Sequence, residues 1–133
     1  MDQIEAFASI AIATCASDGE LDPLKEAESL KHYLDFQAPF RNIDKANLIE
    51  KIISNIKENG IKQVVTESCL ILNQNQKESV LALSVHLSHS DGKFCEYEKE
   101  FISFLIEKLD MNLEKSHQIV ESINILNRDS FSY

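Results

Sequence analysis

Helix breakers are scarce in this chain: its 133 residues include three glycines and two prolines. All three glycines fall where a helix should stop. None is left to build a phosphate-cradling loop, and no strand-turn-helix elbow sets up a serine or cysteine as a nucleophile. The sequence therefore reads as non-enzymatic. Cys15, Cys69 and Cys95 are odd in number, lie far apart and form no Cys-x-x-Cys pair, so neither a zinc ribbon nor a redox motif is present and reduced cytosolic thiols are expected. Charges interrupt every apolar stretch before the roughly 20 residues that span a bilayer. The start, Met1-Asp2-Gln3-Ile4-Glu5, lacks the basic flank of a secretory signal. A soluble cytoplasmic protein without direct membrane insertion is the expectation.

Basic residues are also in the minority. Lys and Arg number 13 against 22 Asp and Glu, for a net charge of −9 that falls about equally on residues 1–66 and 67–133. Nucleic-acid binding draws on clustered cations to neutralise phosphates, and this field repels them. Cations, or a basic surface on a partner protein, are the ligands that such a field favours.

Apolar residues make up 44% of the chain, enough for one core in a single domain over residues 1–133. They recur at three- and four-residue spacing without sustained alternation, so the fold class is all-α, a bundle of about seven helices. Helix one is expected over Gln3–Ser17, with Ile4, Phe7, Ala8, Ala11 and Cys15 on one face. Helix two starts at Asp22 as cap and Pro23 in the first turn, with Leu24, Ala27, Leu30 and Leu34 buried. Pro39 breaks the chain between Gln37 and Arg41, where Phe36 and Phe40 should pin it to the core.

Helix three, Ile43–Glu58, carries Ala46, Ile49, Ile52, Ile53 and Ile56 and ends on Asn59-Gly60 as a left-handed cap. A fourth runs from Ile61 to Leu72, and Asn73–Asn75 then separate two halves. Helix five, Gln76–Ser90, is apolar on most sides and expected at the centre. Helix six, Glu96–Leu109, should bury Tyr97, Phe101, Phe104, Leu105 and Leu109. Asn112 caps a last helix with Leu113, Val120, Ile123 and Leu126.

One tripeptide occurs twice: Ser17-Asp18-Gly19 and Ser90-Asp91-Gly92, 73 positions apart. Each closes an apolar helical stretch and precedes an acidic one, which suggests a duplicated helical hairpin. Glycine is nearly strain-free in the left-handed conformation that ends a helix, and Leu21 and Phe94 can fold back as the accompanying apolar contact. A turn alone explains that much. Asp18, Glu20 and Asp22 in the first copy, and Asp91, Glu96 and Glu98 in the second, exceed what a turn requires. Carboxylate oxygens in such number suit a hard divalent cation, calcium first.

Neither copy is an EF-hand loop. With Asp18 at the fifth loop position, the first, third and last ligands would be Thr14, Ala16 and Lys25; with Asp91 there, they would be Leu87, His89 and Glu98. Glu98 has a second reading as an N-terminal helix residue that reaches back to a free amide. His86 and His89, three apart, could share a metal at a helix end. No second matched pair accompanies them, and a half-buried, hydrogen-bonded histidine is the competing reading; His32 and His117 read as surface positions.

Two Asp-Gly turns joining helix pairs in an acidic all-α chain resemble the TerB-like tellurite-resistance family, over most of the chain. Related domains precede J-domains in membrane-anchored co-chaperones. The family pattern sets a glutamate seven residues after the Asp of an Ala-Asp-Gly turn. Asp91, Gly92 and Glu98 match it, whereas Asp18 and Gly19 are followed by Lys25, and Ser replaces Ala in both turns. The resemblance implies a helical domain whose acidic turns bind metal in a tellurite or general stress response. The alternative is a protein-interaction module that recruits a basic partner without metal.

Overall fold

The first helix, α1 (Gln3–Ala16), starts where Asp2 accepts the Glu5 amide at 2.8 Å, satisfying one of the orphan donors of a helix N-terminus. In the computed structural model, residues 1–17, 34, 38–89, 96–128 and 130–131 are described. The expected second helix lies outside the described residues except for Leu34, which is buried. Both Asp-Gly pairs and Phe36 lie outside them as well.

Every residue of α1 from Ala6 to Thr14 is buried, which corrects the expectation of a single apolar face. Its alanines, Ala6, Ala8, Ala11 and Ala13, let neighbouring helices approach closely from several sides. All-round burial was expected instead of Gln76–Ser90. That helix keeps Ala82 and Leu83 only half-buried.

A 3-10 turn, Ala38–Phe40, fills the expected proline break, and the buried Phe40 ring packs tilted on Phe7 at 6.0 Å. Then follows α2 (Lys45–Asn59), capped by the Asp44 side chain, with Ile49, Ile52, Ile53 and Ile56 buried and Ala46 exposed, contrary to expectation. Gly60 joins α2 to α3 (Ile61–Ile71) at φ 88°, ψ 154°. The positive φ is the one expected, but the ψ lies outside the left-handed helical region, in a basin open to glycine alone.

The link to α4 (Gln74–Ser88) is shorter than the expected Asn73–Asn75 stretch. Asn73 accepts the Gln76 amide at 2.9 Å, and the Gln76 side chain accepts the Asn73 amide at 2.9 Å. That reciprocal cap starts the helix two residues early.

The fifth helix, α5, spans Glu96–Leu109 as expected, but Tyr97 is 65% exposed and Ile102 takes its place in the core. The stripe that faces inward is Glu98, Phe101, Ile102, Leu105 and Leu109, and Tyr97 lies about 100° away from its neighbour Glu98 around the helix. Asn112 caps α6 (Leu113–Asn127) as expected, and Leu113 and Leu126 on it are exposed. The described residues thus hold six α-helices and one 3-10 turn.

Side-chain contacts fix the directions. Gln76 donates to Gln3 at 3.4 Å near the two N-termini, and Thr14 and Ser84 hydrogen-bond at 3.0 Å near the two C-termini. Helices α1 and α4 therefore run parallel, side by side. Lys51, near the middle of α2, pairs with Glu5 at 2.8 Å, and Asp44 and Asn47 line one cleft with Asp2, which sets the first half of α2 beside the start of α1. Ser68 donates to the Met1 sulfur at 3.4 Å, so the end of α3 meets the start of α1 and α3 runs the opposite way. Lys115 reaches Glu78 at 3.8 Å while Asn124 reaches His89, which lays α6 along α4 in the same sense. No described helix is long and apolar enough to cross a membrane.

Candidate functional site

These directions collect three helix C-termini at one end of the bundle: α1 at Ser17, α4 at His89 and α6 at Asn127. Helix α5 is the next described segment after α4, starting at Glu96. Ser17 closes α1 by turning its hydroxyl back to the Thr14 carbonyl at 2.7 Å. Beyond that residue and beyond His89, the chain continues directly into the two Asp-Gly sequences.

Of the six carboxylates singled out in the sequence, Asp18, Glu20, Asp22 and Asp91 lie outside the described residues. The other two share the first turn of α5 but differ sharply. The Glu96 side chain is 82% exposed and makes a loose pair with Lys99 at 3.5 Å, one turn on; such surface pairs contribute little. Glu98 is only 6% exposed and belongs to the inward stripe of α5. A carboxylate rarely enters a core without partners that repay its lost hydration. Among the described residues, no three His, Cys, Asp or Glu side chains converge closely enough to hold a metal ion.

The histidine pair hydrogen-bonds to α6. Both rings are half-buried. His89 Nε2 lies 2.7 Å from Asn124 Oδ1, and Asn127 Nδ2 lies 3.1 Å from His86 Nδ1 while also donating to the Ile123 carbonyl at 2.9 Å. The two asparagines, three apart like the histidines, clasp α6 onto the end of α4. Sequence reading passed over Asn124 and Asn127; matching polar pairs at equal spacing on two helices was the available signal. His117 is exposed, as expected, and His32 lies outside the described residues.

A groove of about 690 Å³ runs between α5 and α6, floored by Ile102, Ile106 and Val120, with Lys99 and Arg128 among its walls. Its polar lining includes Ser103, His117 and Glu121. Cys69 is buried, and loss of hydration pushes its thiol up to about 11, against an ordinary 9.0. A thiol so held is neutral and inert at physiological pH.

Compared with protein-family models, curated proteins and solved structures, the chain matches none.

Proposed function

We propose that this chain is a TerB-like, non-enzymatic cytoplasmic domain of two similar halves that binds a divalent cation through its Asp-Gly turns, serving a tellurite or general stress response. The observation that supports it is the parallel course of α1 and α4, pinned by Thr14 and Ser84 at 3.0 Å. Asp18 follows Ser17 directly, and Asp91 follows His89 by two residues. At no more than about 3.6 Å of chain per residue, these tethers are shorter than the roughly 8 to 10 Å between packed helices. Both Asp-Gly sequences thus follow closely on helices that end at the same end of the bundle.

Glu98, buried in the first turn of α5, is the third donor, with Glu20, Asp22 and Glu96 completing an all-oxygen set suited to calcium. Isothermal titration with calcium, magnesium, manganese and zinc tests the proposal. Saturable heat for calcium that is lost in Asp91→Asn is the expected result. Absence of heat for all four ions overturns it; salt-sensitive capture of a basic partner would then identify an interaction module.

A further inference from the structure

Helix α6 is the least covered element among the described helices. Ser116 is its one buried residue, Val120 is half-buried, and Ile125 and Leu126 are 49% and 71% exposed. Val120 and Ile125 line the α5–α6 groove together with Glu121 and Arg128. These last two stand seven positions, or about 10.5 Å, apart, Glu121 on α6 and Arg128 at its C-terminal cap. An acid and a base two turns apart with an apolar residue between them form a pattern that its own reversed copy complements.

We propose that a second copy of this chain occupies the groove, the two α6 helices lying antiparallel about a two-fold axis between Asn124 and Ile125. In that register Glu121 of each copy faces Arg128 of the other, and each Ile125 lies against the other copy's Asn124 and groove floor. A symmetric contact satisfies both charges twice with one surface, as isologous dimers do. A different partner helix would have to supply the same reversed pattern. The proposal is independent of any cation.

A charge of −9 on each copy opposes association, but at about 0.15 M salt the field decays over about 8 Å. A contact along a few helical turns is smaller than a standard interface, so the test extends to high micromolar concentrations.

Sedimentation velocity over about 1 to about 500 μM chain tests this. The expected mass rises with concentration from 15.1 kDa toward twice that value. Glu121→Arg and Arg128→Glu, each at an exposed position, weaken the dimer by about tenfold or more through facing like charges. The double variant Glu121→Arg/Arg128→Glu restores it, and Ile125→Asp abolishes it, with far-UV circular dichroism confirming that each variant is folded. Wild type at 15.1 kDa throughout, single variants without effect, or a double variant that fails to restore association would each overturn the proposal.

Discussion

The hydroxyls of Thr14 and Ser84 meet at 3.0 Å inside the contact between α1 and α4, 70 positions apart in sequence and both buried. Thr14 also donates to the Ile10 carbonyl at 2.8 Å, one turn back in its own helix. This is the buried polar contact of the seam, whose other polar link, Gln76 to Gln3, lies exposed at the opposite end, and it sets the register in which the two helices end together. Thr14→Val leaves the buried Ser84 hydroxyl without its Thr14 partner and should cost about 1 to 2 kcal/mol. Adding Ser84→Ala removes the orphan, so the double variant should cost less than the two single variants combined. Urea unfolding of the four proteins measures the coupling; strict additivity would remove this contact as the determinant of register.

Two helix junctions depend on positive φ and should respond in opposite directions. At Gly60 a Cβ would meet nothing within 4 Å, yet φ is 88°. Gly60→Ala should therefore destabilise by about 1 to 2 kcal/mol through the backbone alone. Asp110, which ends α5, is held at φ 52°, a conformation that glycine adopts more readily. Asp110→Gly should stabilise by up to about 1 kcal/mol. Thermal midpoints of both variants check the pair, and equal signs would show that side-chain contacts outweigh the backbone.

Cys69 gives the stability a dependence on alkaline pH. Burial raises its folded value to about 11 from 9.0, so the unfolded chain surrenders the proton first. The sign follows: the contribution is complete below about 9 and is lost as pH climbs from there through about 11. Wild type should lose more stability than Cys69→Ala between pH 8 and 11. Chemical denaturation across that range reads the difference. Parallel slopes for the two proteins would contradict the assignment. In the folded protein, thiol reagents should label Cys69 slowly at pH 8.

Helix boundaries were legible where a cap residue announces them. Asn112 and the Gly60 break mark their helices in the sequence, and α5 begins and ends where periodicity places it, whereas the Asp44 cap was passed over and α2 starts two residues after the expected Ile43. Side-chain direction was less legible because large apolar residues sit on more than one face. Tyr97 and Leu126 are exposed while Glu98 is buried, an inversion that hydrophobic pattern alone cannot anticipate. Register between helices distant in sequence was barely legible, the equal spacing of the two histidines and the two asparagines being its one hint. Nothing local in Thr14 or Ser84 marks them as partners, and the clasp of His86 and His89 by Asn127 and Asn124 likewise depends on how α4 and α6 lie together.

Glu98 separates the structural reading of the acidic turns from the cation reading, because one substitution treats them differently. Glutamine serves as well as glutamate in reaching back to free amides at a helix start, but it removes the negative charge that a hard cation requires. Under the cation proposal, calcium at a hundred times its dissociation constant adds about 2.7 kcal/mol to wild-type stability. Glu98→Gln should lose most of that increment while changing the metal-free protein by less than about 1 kcal/mol. Denaturant unfolding with and without calcium, for both proteins, gives four numbers that decide the matter. An increment retained in Glu98→Gln would remove this residue from the site. A large loss without calcium would instead make its buried charge part of the core.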